Sequence, residues 1–422
     1  MSEKKQQVIT QEEQRAAGRF LISLLKSSLH RVPAERKPEE CSWDVVWRLA
    51  KRNNVENTVS PAISRSTGEI SETMAKKWKL SQSQILHRLL QFEVERETIL
   101  KEMDRQGISY LPLKGILLAE YYPEPGMRWM CDNDILYGRL AKKEDGTLYM
   151  PKEAEQPVRE KLYEIMKSLG YTAEYLGGNH DVYQKKPFFN FEMHQRLVSS
   201  ESELAEYYQN PWKRAVPVAG KAFQYHFSDE DEYLFMTAHA YKHFHISGCG
   251  IRTLVDEYVF LQKKQDMDWN YIQNELGKMH ITEFEQKLRE TAQHAFSADG
   301  ILTQDEWELI FCMMGSGTYG TLQNRIHGQM KCLQEDSDRN WKIRMKYIWQ
   351  RVWTDEARMK EYYSFFYRHK WSRIGLPLYR LVKGMCIHPG MLIAEWKEVN
   401  GYRREEKQDE SKRRIRNERS CR

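Results

Sequence analysis

Apolar residues recur at helical spacing along most of this chain and switch to strand-like alternation in one central stretch. Near the N-terminus, Thr10-x-x-Glu13 reads as a capping box opening an amphipathic helix through Arg19 to Lys26. A second helix follows Ser42 and carries Val45, Val46 and Leu49. Ser81 is the expected start of a long helix that turns Ile85, Leu89, Phe92 and Ile99 toward a core and stops at Gly107. The pattern then changes. Ile108 to Leu113 reads as a strand, Lys114-Gly115 as a sharp turn, Ile116 to Tyr122 as a short helix, and Arg128 to Leu136 as a second strand. A helix from about Glu153 to Leu169 follows. Three extended pieces come next, Tyr171 to Leu176, Asp181 to Gln184 and Phe188 to Leu197, with Gly177-Gly178-Asn179 as a hairpin turn.

After Ser228 helical spacing returns. Asp229 to His245 is one helix, broken by Ser247-Gly-Cys-Gly250. Arg252 to Lys264 is another, with Leu254, Tyr258 and Leu261 at core spacing. Thr303-x-x-Glu306 caps a further helix, and the Trp-, Tyr- and Arg-rich stretch from Asp338 to Lys383 also reads as helical. The fold class is therefore α+β: a mixed β-sheet with flanking helices, plus N- and C-terminal helical regions. The expected divisions are 1–107 (helical), 108–228 (α/β core), 229–400 (helical) and 401–422, a charged tail expected to be disordered.

Composition narrows this little. With 41% apolar and 30% charged residues, the chain can bury cores and stay soluble. It shows neither the apolar run of a signal peptide at Met1 to Gln7 nor a membrane span, so no membrane insertion is expected. Seven scattered cysteines without a Cys-x-x-Cys pair argue against a zinc ribbon or a disulfide framework and for a reduced, cytoplasmic protein. The net charge is +5, of which Arg403 to Arg422 carry +4, so the body is near +1 and a nucleic-acid partner is disfavoured. Lys412 to Arg416 could touch RNA or a membrane surface, but its first reading is a solvated, frayed terminus.

Candidate chemistry concentrates in the central stretch. On a strand, Asp132 and Asp134 point to one face. Two adjacent carboxylates repel unless a cation lies between them, and hard oxygen ligands select Mg²⁺ or Mn²⁺. Cys131, Asn133 and Ile135 face the other way, Cys131 as a buried filler. In Phe189 to His194, Asn190, Glu192 and His194 share a polar face, so Glu192 is a third carboxylate on a neighbouring strand. It would complete a metal site or take a proton from an attacking hydroxyl, with His194 orienting it or touching substrate. Lys114-Gly115 at a strand-to-helix junction fits a phosphate turn, and Arg128 is a second candidate phosphate contact.

The segment from Leu111 to Leu136 resembles the signature of the family-5 nucleotidyltransferases, poorly characterised members of the polymerase-β-like superfamily. The likeness rests on Leu-Lys-Gly, a short helix ending Tyr-Tyr-Pro, an Arg, Asp-x-Asp-hydrophobic and a later Glu-hydrophobic-His. Lys114, Gly115, Arg128, Asp132, Asp134, Glu192 and His194 match it position by position. His239-x-x-x-His243, Thr253 to Asp256 and Gly317 to Gly320 are similar to that family's C-terminal helices. The resemblance implies a nucleotidyltransferase-type sheet, an NTP substrate (ATP by default) and a divalent metal. Two positions depart from the wider superfamily. Lys114-Gly115 replaces Gly-Ser at the phosphate turn, and Asn133 replaces an apolar residue, which would tilt or expose the strand.

His239 and His243 stand at i, i+4, a zinc-site spacing, but no glutamate lies between them and no third ligand is evident. Lining a nucleotide cleft, or pairing with Asp256 and other polar groups, is the expectation; Arg252 and Asp256 at i, i+4 read as a surface pair. The leading reading is transfer of an NMP from an NTP to an unidentified acceptor hydroxyl or phosphate, with release of pyrophosphate. The alternative is a non-catalytic binding or regulatory protein of the same fold. An RNA-end-modifying enzyme is disfavoured by the near-neutral body.

Overall fold

The computed structural model describes residues 10–65, 70–318, 320–332, 339–354, 356, 359, 363–387 and 389–402. The expected disordered tail lies, from 403 on, outside the described residues. Helices α1 (Gln11–His30), α2 (Trp43–Arg52), α3 (Glu56–Arg65) and α4 (Glu72–Arg105) lead. Thr10 accepts from the Glu13 backbone N–H at 3.1 Å, but the reciprocal half of the capping box is missing: Glu13 accepts from Ser42 instead, at 3.4 Å. The long helix α4 starts at Ser71, not Ser81: Ser71 caps it, and Met74, Trp78, Ser81 and Ile85 form its buried stripe. Lys76, Lys77 and Lys79 mask that stripe in the sequence.

The sheet contains β1 (Ser109–Pro112), β2 (Asn133–Gly138), β5 (Thr172–Tyr175), β6 (His180–Lys185) and β7 (Phe189–His194), in the order β1-β2-β7-β6-β5. β3 (Ala141–Lys142) pairs only with β4 (Leu148–Tyr149), and β8 (Val216–Pro217) pairs with β9 (Tyr225–His226). β2 and β7 run parallel; the other neighbours in the large sheet are antiparallel. Between β1 and β2 lies α5 (Gly115–Tyr121), and before β5 lies α6 (Lys152–Ser168). Alternation sorts the sheet's two faces. Ile135, Tyr137, Phe191 and Met193 join Phe92, Ile99 and Leu162 in a core under α4 and α6. Leu136 joins Leu111, Tyr233 and Phe260 on the other side. Asp134, Glu192 and His194 share that second face.

β2 begins at Asn133 rather than Arg128, so Asp132 precedes the strand. The reason is its partner: β1 ends at Pro112, opposite Ile135, and the chain turns away at Lys114. Asn133 neither tilts nor exposes the strand. It is fully buried, and its Oδ1 accepts from Arg96 at 3.0 Å.

Helices α7 (Asp229–Ile246), α8 (Arg252–Lys263), α9 (Trp269–Met279), α10 (Thr282–Phe296) and α11 (Gln304–Ser316) follow. Thr303 and Glu306 form the expected capping box of α11. Leu21, Leu25 and Val46 share one core with Leu254, Tyr258, Phe296 and Met313, so the N-terminal helices belong with α8, α10 and α11. The described residues up to Phe244, with 249–318, form one compact unit; His245–Gly248 and 320–402 form a second. The second holds α12 (Leu322–Cys332), α13 (Asn340–Val352) and the helices Leu376–Ile387 and Pro389–Gly401. No helix among the described residues is long and apolar enough to cross a membrane.

Candidate active site

A cavity of ≈ 330 Å³ opens on the polar face of β2 and β7. That volume falls in the range of small-molecule sites, roughly 300–1,000 Å³. Lys114, Gly115, Arg128, Asp132, Asp134, Glu192, His194, His239, His243 and Asp256 all line it. Residues as far apart in the chain as Lys114 and Asp256 thus line one cavity.

The parallel register sets Asp134 directly beside Glu192. Asp134 is 4% exposed. Its Oδ1 lies 2.8 Å from His194 Nε2, and its Oδ2 lies 3.2 Å from Lys114 Nζ. Burial pushes this carboxyl up, but Lys114 and the His194 hydrogen bond outweigh burial and hold it below the usual carboxylate range. His194 is thus the orienting partner of Asp134; Glu192 Oε2 is 3.9 Å from the same nitrogen. For Glu192 the compensation from Lys114 and Lys242 is outweighed. Burial first, then Asp134 and Asp132, push it up to about 8. Burial and Asp134 also raise Asp132.

Lys114 is held at φ 30°, ψ −96°, a backbone conformation non-glycine residues rarely adopt. That turn aims its ammonium at Asp134 and at His239 Nε2, 3.3 Å away. Helix α5 has only seven residues, so its dipole is small and the positive charge at the turn comes from Lys114. Gly115 allows a close approach: a Cβ there would lie 3.2 Å from Arg128 Nη1, and the guanidinium would have to give way by a few tenths of an ångström.

Arg128 does not present a free guanidinium. Its Nε and Nη2 donate to Asp256 Oδ1 and Oδ2 at 2.7 and 2.9 Å, and Nη1 donates to the Gly115 carbonyl at 3.3 Å. Tyr122 Oη also donates to Asp256, at 2.7 Å. Asp256 is therefore neither a surface partner of Arg252 nor a partner of the histidines. It is 8% exposed and clamps α8 to the Lys114-Gly115 turn through Arg128. Cys131 is no core filler: it is half-buried on the cavity wall, with Trp129 Nε1 2.6 Å from its sulfur.

Three residues at or beside the cavity were given no chemical role by the sequence: His180, Lys242 and Asn179. His180 is the cross-strand partner of His194, with ring centroids 4.9 Å apart. Its Nε2 lies 3.7 Å from Glu192 Oε2. Burial and then His194 push His180 down to about 4. Lys242 and Asn179 line the cavity itself. Burial and then Lys114 lower the Lys242 ammonium. On the same helix burial lowers His239 well below its ordinary value, and burial with Lys242 takes His243 down to about 4. These imidazoles are neutral at pH 7.

Two donor sets lie at or beside this space. One is Asp132, Asp134 and Glu192, which all line the cavity but, among the described residues, are not gathered with their ligand atoms within 4.8 Å of one another. The other is His180, Glu192 and His194, whose ligand atoms lie within 4.8 Å of one another. The Glu192 carboxyl, crowded by two like charges, is what a divalent ion would relieve.

A family model described as "uncharacterised nucleotidyltransferase" matches residues 39–145 and 148–297. The chain belongs to this family. The matched span carries every residue of the cavity wall named above. Its mixed α+β architecture fits a nucleotidyltransferase fold, and family membership gives it a general nucleotidyltransferase role with an NTP as substrate. Comparison with curated proteins and with solved structures yields no match.

Proposed function

We propose that this nucleotidyltransferase moves an NMP from an NTP, ATP by default, to an acceptor hydroxyl or phosphate and releases pyrophosphate in a metal-dependent reaction. The observation that carries this reading is the meeting of Asp132, Asp134 and Glu192 on one cavity wall beside the Lys114 ammonium. Asp132 and Asp134 would hold Mg²⁺ or Mn²⁺, with Glu192 completing the set. A bound divalent ion would polarise the α-phosphate and offset charge on the departing pyrophosphate. Lys114, which pairs with Asp134 here, would neutralise triphosphate charge. Arg128 acts from behind the turn, fixing Gly115 through its carbonyl rather than gripping phosphate. An acceptor oxygen bonds to the α-phosphorus while the bond from that phosphorus to the bridging oxygen of the β-phosphate breaks. The acceptor proton passes to Glu192 or to water. His239, His243 and Lys242 shape the acceptor side. A cytoplasmic location suits the free cysteines and the need for NTP.

The non-catalytic alternative has one observation in its favour. Both Asp134 oxygens are already satisfied by Lys114 and His194, so this carboxylate is compensated without a metal. The test is incubation of the purified protein with Mg²⁺ and each of four α-labelled NTPs, with and without a pool of metabolites and proteins. Label moving onto an acceptor, with pyrophosphate released and both lost in Asp132→Asn, is the expected result. Transfer that survives Asp132→Asn would overturn the assignment. NTP with Mg²⁺ raising the melting temperature, with no transfer under any condition, would favour the binding protein.

A further inference from the structure

The near-neutral body of this chain is the sum of two opposed blocks. Residues 1–338 hold 43 basic and 50 acidic residues, a net of −7. Residues 339–402 hold thirteen basic and five acidic residues, a net of +8. The charged terminus from Arg403 adds +4 to the basic side.

The basic block also holds most of the large apolar side chains that are exposed among the described residues. In α13, Trp341, Met345, Ile348, Trp349 and Val352 stand at i, i+4, i+7, i+8 and i+11, one stripe of the helix. All five are between 38% and 64% exposed. Ile343 and Tyr347, off that stripe, are the buried pair, at 0% and 4%. The helix is therefore apolar on two faces, and only one is covered. It contains no acidic residue, and Lys342, Arg344, Lys346 and Arg351 flank the exposed stripe. The helix Leu376–Ile387 repeats the design. Leu378, Leu381, Val382 and Met385 follow i, i+3, i+4 and i+7, are 46% to 65% exposed, and are interleaved with Arg380 and Lys383.

The chemistry of this surface selects its occupant. A second copy paired like against like, as a two-fold dimer would be, brings +8 against +8. An RNA would answer the charge but not the aliphatic stripes. An anionic lipid surface answers both: apolar side chains enter the boundary between headgroups and acyl chains, indoles sit at headgroup level, and Lys and Arg meet lipid phosphates. Five of the twelve tryptophans, at 341, 349, 353, 371 and 396, are 42% to 76% exposed here. We propose that α13 and the helix Leu376–Ile387, with the exposed tryptophans beside them, dock this protein on an anionic lipid surface, lying on the bilayer without crossing it. Nothing in this inference depends on the catalytic reading.

The test is flotation of the full-length protein with phosphatidylcholine vesicles and with vesicles of phosphatidylcholine and phosphatidylglycerol at 7:3, with tryptophan emission as a second readout. Binding is expected to be at least about tenfold tighter to the anionic vesicles, to weaken in high salt, and to shift the emission to the blue. Ile348→Ser with Trp349→Ser should abolish the shift, and Lys342→Glu with Lys383→Glu should remove the preference for anionic lipid. Melting curves confirm that each variant folds, and the charge pair keeps the test open where the serine pair fails to fold. Equal affinity for both vesicles, no affinity for either, or unchanged binding by folded variants would overturn the proposal. Vesicle binding absent, with either a single-stranded RNA bound or a dimer that the serine pair dissolves, would overturn it in favour of that partner.

Discussion

In the cleft, ionisable groups are withdrawn from water and meet one another: Lys114 with Asp134, Asp134 with His194, Arg128 with Asp256. In α13 and the helix Leu376–Ile387, exposed indoles and aliphatic chains stand in water, with basic side chains interleaved among them. Burying charge is expensive, and a fold keeps such groups where opposite charge arrives or a network satisfies them. Exposing apolar area is also unfavourable and marks association. The same residue classes thus carry chemistry in one region and contact in the other, and burial tells the two apart.

The comparison breaks most sharply at Arg128. Removing one partner of a buried, hydrogen-bonded ion pair costs about 3–5 kcal/mol. Arg128→Met should lower stability in urea unfolding by that amount, because Asp256 keeps only the Tyr122 hydroxyl. A loss below about 1 kcal/mol would show that the pair is not the clamp described here.

Glu192 gives a smaller, pH-dependent effect. Its carboxyl is raised from 4.5 to about 8 by burial, then by Asp134 and Asp132. The folded state therefore holds this proton more tightly than the unfolded state does. Its contribution is fully present below about 4.5 and is lost as pH rises toward 8. His180 and His243, lowered to about 4 from 6.5, act oppositely, losing stability as pH falls below 6.5. Wild-type stability minus that of Glu192→Gln should accordingly fall between pH 6.5 and 8, where the histidines are already neutral. Divalent cations, which favour the ionised carboxylate, should stabilise the wild type increasingly across the same window. A flat difference would remove Glu192 from the carboxylate cluster. The smallest effect belongs to the other region: Ile348→Ser with Trp349→Ser should change stability by less than about 0.5 kcal/mol, the range of surface substitutions.

Local motifs were legible. Lys114-Gly115 and the Asp134 and Glu192 strands follow from alternation and turn chemistry within short windows. What depended on distant pairing was not. Arg128 and Asp256 are far apart in sequence, while the helical spacing of Arg252 and Asp256 pointed to the wrong partner. His180 was lost because its strand was drawn from Asp181, one residue short, and the face it shares with His194 exists only once β6 pairs with β7. Lys242 stood between two histidines weighed for zinc and went unread. The charge split at about residue 339 vanished in the whole-body average.

The most direct test of the carboxylate site is Mn²⁺ binding in the presence of a non-hydrolysable NTP analogue, read by the spin resonance of free Mn²⁺. Wild type, Asp132→Asn and Glu192→Gln would be compared at pH 7.5 with melting curves as the folding control. The account predicts binding by the wild type and at least about tenfold weaker binding by both folded variants. Equal affinity in all three would place the cation elsewhere and contradict the site.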